Sequence, residues 1–231
     1  MLINLIRNYL SGGTTSFVEV LIGFVSSLFI IFVCLPIHES AHAFTAYKLG
    51  DPTAKHMGRL TLNPIAHIDW IGAVLILLCG FGFAKAVPVN ARNFHRPKWG
   101  MALVGLAGPL TNFLLGFLCY LLSSTAFEFC FAYQSTVLGY VGLFFEYAGL
   151  INIYLAAFNL IPLPPLDGSR ILFAFLPDRI YYRVQAYERY LFFIVILLVA
   201  TGLLDKPTAW LAEQMDSLCY TIINAIFGLF L

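Results

Sequence analysis

Long apolar runs separated by short polar connections dominate the chain, and most runs are long enough to cross a membrane. A spanning helix needs roughly 20 mainly apolar residues. Four segments meet this requirement clearly: 17–49, 99–123, 136–161 and 187–204. A fifth segment, 208–231, either spans the bilayer or lies at its interface. The pattern predicts an all-α polytopic membrane protein with about four to five transmembrane helices.

Residues 70–90, WIGAVLILLCGFGFAKAVPVN, follow a different pattern. The apolar part is short for a span, and it breaks into Gly-Phe-Gly and then Val-Pro-Val-Asn. Irregular backbone at membrane depth is tolerated only where protein or a water-filled cavity satisfies its polar groups. We therefore expect a re-entrant hairpin or a small membrane-associated sheet here. The first 17 residues contain a broken apolar run and one arginine, which favours a short amphipathic interfacial segment.

Composition supports a membrane protein and excludes some partners. The chain has 231 residues, of which 60% are hydrophobic and 11% are charged, whereas a soluble domain is about a quarter charged. The net charge of +1 gives no support for nucleic-acid binding. The five cysteines are scattered through apolar segments without a CxxC pair, so we expect neither a disulfide framework nor a thiolate zinc site.

Lysine and arginine positions predict the orientation in the membrane. Basic residues cluster in 48–59, 92–98 and 170–189, whereas the loop predicted at 124–135 has none. The basic stretches should face the cytoplasm, and the loop without lysine or arginine should lie outside. This arrangement puts the N-terminus outside a cell membrane that the chain crosses several times, and it brings the C-terminal ends of the first and third spans together on the cytoplasmic side.

The stretch LPIHESAHAF, residues 35–44, places two histidines and a glutamate inside the first apolar segment. Ionisable groups at membrane depth are costly and indicate function. His38 and His42 are four residues apart, so both rings project from one helix face. In an HExxH site the two histidines bind zinc and the glutamate, here Glu39, is the general base. The alternative is a polar helix face that lines an ion path.

Two histidines do not complete a catalytic zinc site, which usually has three protein ligands. The remaining histidines, His56, His67 and His95, all lie in connecting segments. A carboxylate is the other option, and Asp167 follows a proline-rich stretch that ends the third span. Topology puts Asp167 on the same side of the membrane as the histidines. From position alone, a zinc ligand and an ordinary turn aspartate are equally good interpretations.

Four stretches in order resemble the site-2 protease family of intramembrane zinc metalloproteases, in the short bacterial form without a PDZ or nucleotide-binding domain. They match the family's HExxH, NPxxHID, GPxxN and NxxPxxPLDG elements, and they are HESAH (38–42), GRLTLNPIAHIDW (58–70), GPLTN (108–112) and FNLIPLPPLDGSRIL (158–172). The resemblance covers about residues 33–172. It implies one metalloprotease domain over 1–231, with a catalytic core at about 17–172 and C-terminal helices at about 187–231.

The resemblance also assigns residues. It implies one Zn²⁺ per chain bound by His38, His42 and Asp167, with Glu39 as the catalytic base. Asn159 is expected to stabilise the oxyanion, although a polar contact between helices is the alternative. Asn112 is expected either to bind the substrate backbone or to brace helices. Two residues remain on the approach to the site: Asn63, a candidate for substrate binding, and His67, which either supports catalysis or holds a turn.

These assignments predict hydrolysis of peptide bonds in or near the transmembrane segments of membrane-anchored proteins. The substrate is a transmembrane protein or peptide within the lipid bilayer, and it must unwind because helical carbonyls are already hydrogen-bonded. The competing classes are a membrane transporter or channel with an intramembrane metal site and a catalytically silent scaffold. No repeated halves are visible in the sequence, and the presence of Glu39 favours a hydrolase. Substrate identity and oligomeric state are not encoded in any recognisable pattern.

Overall fold

Helices make up most of the computed structural model, which describes residues 2–79, 82 and 84–230. Within these ranges no β-strand occurs, and the α-helices are, in chain order, α1 (Leu2–Leu10), α2 (Phe17–Phe29), α3 (Leu35–Lys48), α4 (Thr53–His56), α5 (Pro64–His67), α6 (Trp70–Cys79), α7 (Pro97–Tyr133), α8 (Thr136–Leu160), α9 (Asp167–Ala174), α10 (Asp178–Ala200) and α11 (Asp205–Phe230). A π-helical turn, Ile30–Cys34, joins α2 to α3, and a 3₁₀ turn, Ala91–Asn93, precedes α7. The all-α prediction is confirmed.

The first predicted span is confirmed as one continuous helical unit, Phe17–Lys48. It begins at Ser16, whose side chain accepts from the Glu19 amide in a capping box. Pro36 lies in the first turn of α3, and the π-helical turn Ile30–Cys34 ends two residues before it. The proline ring clashes with the carbonyl four residues earlier, and a wider turn relieves that clash. The turn therefore lies at the entrance to the HExxH segment.

The antiparallel pair α7 and α8 forms the centre of the molecule, and both predicted spans there are confirmed. α7 is longer than the predicted 99–123, because its 37 residues extend about 55 Å. The loop predicted at 124–135 was therefore wrong for most of its length. Only residues 134 and 135 connect the two helices, with Gln134 in the left-handed conformation at φ 49°.

The fourth and fifth predicted segments do not form two separate spans. Tyr190–Ala200 and Asp205–Gly228 qualify together as one bent pair, with an angle of 81° between the helices. By length and composition, the described residues thus hold three spanning helices, or four if the bent pair counts as one. The prediction of four to five was too high at its upper end. Among the bend residues, Gly202 has φ +72°, a conformation that disrupts a helix.

The segment 70–90 is only partly as predicted. Its first part is the short helix α6, which starts where Asp69 accepts from the amides of Ile71 and Gly72. Residues 84–90 follow without helix or strand, so the described part of this segment contains no sheet; residues 80, 81 and 83 lie outside the described ones. Residues 84–90 cross the molecule beside α3, and we call them the strap.

Residues 161–166 turn the chain back between α8 and α9, as expected for an unwound proline-rich segment. α8 ends at Leu160, and α9 begins at Asp167 against α7. The return is close, because a Cβ added at Gly168 would lie 2.2 Å from the carbonyl oxygen of Leu160. At the N-terminus, the segment predicted to be interfacial forms α1, where only Leu2 is buried. The fold therefore brings Asp167 beside α3 and α7.

Candidate zinc centre

Three side chains from two distant parts of the chain converge on one point. His38 Nε2 and His42 Nε2 are 3.0 Å apart on α3. At the start of α9, Asp167 Oδ2 lies 3.4 Å from His38 Nε2 and 3.2 Å from His42 Nε2. All three residues are more than nine-tenths buried. Among the described residues, this trio is the one group of histidine, cysteine and acidic side chains close enough to hold a metal.

The spacing of these atoms fits zinc. Tetrahedral zinc with bonds of about 2.0–2.2 Å places its ligand atoms about 3.3–3.6 Å apart. The observed separations of 3.0, 3.2 and 3.4 Å agree with that to a few tenths of an ångström. Two imidazoles and one carboxylate also form a typical donor set for a catalytic zinc with an open fourth position.

Neighbouring groups fix the direction of two of the three side chains. His42 Nδ1 donates to the carbonyl of Val104 on α7 at 2.6 Å, which leaves Nε2 with a free lone pair. Arg170 Nη1 lies 3.8 Å from Asp167 Oδ1, opposite the oxygen that faces the histidines. Burial alone would raise the pKa of Asp167, but the two histidines and Arg170 hold it well below its ordinary value. Asp167 is therefore an anionic carboxylate.

Glycines on α7 allow the backbone to approach the site. A Cβ added at Gly108 would lie 2.3 Å from His42 Nε2 and 2.5 Å from His38 Cε1. One turn earlier, a Cβ at Gly105 would lie 2.8 Å from the carbonyl oxygen of Asp167. Real side chains do not tolerate such distances, so α7 contacts α3 and α9 only because these positions lack a side chain.

Glu39 is buried beside the histidines and is held by the strap. Its Oε2 accepts from the amide of Val87 at 3.1 Å. The strap is itself anchored directly before this contact: the Lys85 amide donates to the carbonyl of His67 at 2.8 Å, and Arg59 donates to the carbonyls of Lys85 and Ala86. The strap therefore fixes the carboxylate of Glu39 relative to the histidines.

A cavity of about 530 Å³ opens beside these residues. Its wall is mostly apolar and comes from α3, α6, the strap, α8, α9 and α10. His38, Glu39, His42 and Asp167 line it together with Asn159, whose amide donates to the Leu155 carbonyl at 3.0 Å. Because α10 supplies five lining residues, the predicted core at 17–172 does not contain the whole cavity; the five are Phe192, Val195, Ile196, Val199 and Ala200.

The other three predicted site residues lie outside the cavity wall. Asn63 is exposed and caps α5, where its side chain accepts from the Ile65 amide at 3.1 Å. His67 is buried, with Nε2 2.8 Å from the carbonyl of Thr61, and its own carbonyl binds the strap. Asn112 is fully buried on α7. Asn63 and His67 thus organise the approach to the strap, and Asn112 sits in the helix core.

Sequence analysis missed three groups at the site. Arg170 follows Asp167 by three residues, a spacing that places both side chains on one helix face and could have been noticed. Arg59 was counted only as a charge that orients the chain, although it is buried and binds the strap. The Val87 amide has no side-chain signature at all, since any non-proline residue offers the same donor.

An HExxH helix, a carboxylate placed to be the third ligand and an apolar cavity within a bundle of spanning helices define a membrane-embedded zinc hydrolase. Comparison with known proteins agrees. The profile of Peptidase family M50 matches residues 129–201. "Putative zinc metalloprotease YwhC" of Bacillus subtilis (strain 168) is 40% identical over 177 residues, which cover 75% of this chain and 79% of that protein.

Two further relatives are more distant. "Putative zinc metalloprotease Rip2" of Mycolicibacterium smegmatis is 29% identical over 195 residues, or 82% of this chain and 70% of the relative. "Zinc metalloprotease MJ0392" of Methanocaldococcus jannaschii is 29% identical over 157 residues, or 68% and 36%. No solved structure matches the chain significantly. The chain belongs to peptidase family M50, the site-2 proteases, and is a multi-pass zinc metalloendopeptidase.

Proposed function

We propose that this enzyme hydrolyses peptide bonds in or near the transmembrane segments of membrane-anchored proteins. The observation that carries the proposal is the position of the catalytic group. His38, His42, Asp167 and Glu39 all line one mostly apolar cavity inside the bundle, not an exposed surface. An apolar cavity of this size suits an unwound stretch of an apolar helix better than a polar peptide from solution.

In this proposal His38, His42 and Asp167 hold the zinc. When bound, zinc acts as a Lewis acid that acidifies a water molecule and polarises the scissile carbonyl. The carbonyl of Val104 accepts a hydrogen bond from His42 Nδ1–H. This bond fixes the tautomer in which Nε2 is unprotonated and free to bind the metal. Arg170 holds the second oxygen of Asp167 away from the histidines.

Glu39 is the proton carrier of the reaction. The Val87 amide occupies Oε2, so Oε1 takes the proton of the attacking water and returns it to the leaving amine. Asn159 lines the same cavity; one hydrogen of its Nδ2 bonds the Leu155 carbonyl, and the second is a donor for the developing oxyanion. Substrate enters in an extended form, since a helical peptide has no free carbonyl to present.

The proposal includes an orientation. The segments with clustered lysine and arginine, 48–59 and 92–98, flank the end of α3 and the start of α7, close to the histidines. Positively charged connections remain in the cytoplasm. The active site therefore lies toward the cytoplasmic side of the plasma membrane, and the N-terminus lies outside.

The decisive experiment compares wild type with Glu39→Gln in purified, detergent-solubilised protein. We expect about one zinc per chain in both, and cleavage of a model transmembrane substrate that falls by about 10²–10⁴-fold in the variant. Glu213→Gln, the same change at an exposed position of α11, is the matched control and should cleave normally. Asp167→Ala should lose the zinc. Undiminished cleavage by Glu39→Gln, or wild type without zinc, would refute the proposal.

A further inference from the structure

The two zinc-binding histidines differ in how their second ring nitrogen is treated. His42 Nδ1 is bonded to the Val104 carbonyl. His38 Nδ1 is equally buried, yet no hydrogen-bond partner for it occurs among the described residues. A metal-bound histidine almost always donates this second N–H, because the bond fixes the tautomer and the ring orientation. His38 therefore calls for an acceptor close to its Nδ1.

Asn112 is a second buried side chain without hydrogen-bond partners among the described residues, and its Oδ1 is an acceptor. Its side chain is 0% exposed, and neither its Oδ1 nor its Nδ2 has a partner in the described structure. Native proteins rarely leave a buried amide with both atoms unpaired, so such a residue requires an explanation. Asn112 does not line the cavity, which argues against direct contact with substrate.

The register of α7 against α3 places Asn112 next to His38. Val104 contacts His42, and Gly108 approaches both histidines, so α7 runs along α3 in the reverse direction. Asn112 is the next residue on this face, one turn beyond Gly108. Gly108 approaches His38 at Cε1, the ring atom between Nδ1 and Nε2.

Residues of α8 close the other side of this region. One turn beyond Asn112, a Cβ at Gly116 would lie 3.4 Å from the Cβ of Asn152. The Asn152 amide binds Cys34 Sγ at 3.4 Å, and Cys34, the last residue of the π-helical turn, lies four residues before His38. Asn112 is thus enclosed by α3, α7 and α8, where a polar partner has to come from these helices or from a buried water.

We propose that Asn112 is the positioning residue for His38: its Oδ1 accepts the proton of His38 Nδ1, directly or through one bridging water, and directs Nε2 toward the zinc. The carbonyl of Val104 has the same role for His42. This inference rests on the proposed ligation by His38. It gives Asn112 a role in holding the metal and none in binding substrate.

The test measures zinc affinity by competition with a chromophoric chelator in detergent. Asn112→Leu keeps the volume and removes the acceptor, so we expect zinc to bind about 10–100-fold more weakly. In the Co²⁺-substituted form of this variant, the visible absorption bands should also shift relative to Co²⁺-substituted wild type. Asn112→Asp retains the oxygen and should keep zinc while it moves the bands, since a carboxylate is a stronger acceptor.

Asn152→Leu is the matched control, because it removes another fully buried side-chain amide, this one on the neighbouring helix α8. It should lower the thermal stability without altering zinc affinity or the cobalt bands. Wild-type zinc affinity and unshifted bands in folded Asn112→Leu would overturn the inference alone. If that variant does not fold, unshifted bands in Asn112→Asp overturn it. Absence of zinc from wild type would instead overturn the proposed function.

Discussion

Among single residues, Gly108 has little freedom to change. Its α-carbon lies where the backbone of α7 meets both histidines, and an added methyl group would overlap His42 Nε2 at 2.3 Å. We expect Gly108→Ala to abolish zinc binding and to destabilise the fold by about 1–3 kcal/mol through overpacking. Zinc content and thermal unfolding in detergent measure both effects.

Gly228→Ala provides the comparison for that variant. Gly228 is also helical, but no atom lies within 4 Å of its Cβ position. Replacement there should leave zinc unchanged and stabilise α11 by up to about 1 kcal/mol, because alanine is the better helix former. Equal zinc content in the two alanine variants would contradict the close approach of α7 to the site.

Asp51 makes a pH-dependent contribution to stability outside the spanning helices. Burial raises its pKa, but bonds from Thr53, the Asn90 amide and the Asn93 side chain lower it below the ordinary value. A folded-state pKa below the unfolded one stabilises the protein above the unfolded pKa of about 4, and this contribution is lost as the pH falls through the folded value.

Asp51→Asn should therefore cost about 1–3 kcal/mol at pH 7, because the amide cannot accept all of these bonds. The difference between variant and wild type should shrink below about pH 4, as the wild-type carboxylate becomes protonated. Thermal unfolding at both pH values is the measurement. A constant difference across this range would mean that the charge of Asp51 does not matter.

Among the elements, the strap depends on Arg59. This buried side chain donates to two consecutive strap carbonyls, those of Lys85 and Ala86. In Arg59→Ala both carbonyls lose their donor, and we expect the amides of the strap, Val87 included, to exchange hydrogen about tenfold faster or more. Cleavage should fall as well, since the Val87 amide holds Glu39.

Hydrogen-exchange mass spectrometry measures this effect. Peptides from α8 serve as the internal control, because that helix does not contact Arg59 through any hydrogen bond found in the described residues. Arg59→Lys keeps a charged N–H donor group, so the exchange rate of its strap amides should lie between those of Arg59→Ala and wild type. Unchanged exchange in Arg59→Ala would show that the strap is held by its other contacts.

These elements also separate what a sequence reveals from what it hides. The HExxH helix is predictable, because four-residue spacing alone puts both histidines on one face. Asp167 is harder to predict as a candidate ligand. It lies 125 positions after His42, and the return of the chain through residues 161–166 that brings it back is indicated only by the family resemblance. The contact between the strap and Glu39 cannot be predicted from the sequence, because it is made by a backbone amide, which every residue but proline possesses.

For the whole molecule, the orientation gives a direct prediction. Gln134 lies exposed at the turn between α7 and α8, whereas Met57 is 63% exposed near the opposite end of the bundle. In a Cys130→Ser background, Gln134→Cys should react with a membrane-impermeant maleimide on intact cells, and Met57→Cys only after permeabilisation. The reverse pattern would place the active site toward the outside.

The hydropathy of the chain predicted the long spans but not how its last two helices are arranged. Segments 187–204 and 208–231 each satisfy an apolar count, and that count is blind to the bend between them. The sequence signals are Gly202 and Pro207, and in the structure Gly202 adopts φ +72°. Turn chemistry deserved more weight than composition at this boundary.

The bend beside the cavity also has a consequence for the lipid. The apolar run Tyr190–Ala200 is only about 16 Å long, whereas the hydrocarbon layer is about 30 Å thick. Because this run is set at 81° to α11, which shares a core with α7 and α8, we expect the bilayer to thin locally beside it. Such thinning would bring headgroups and their water close to a reaction that consumes water. We therefore expect the rate of hydrolysis to depend on the acyl-chain length of the host membrane.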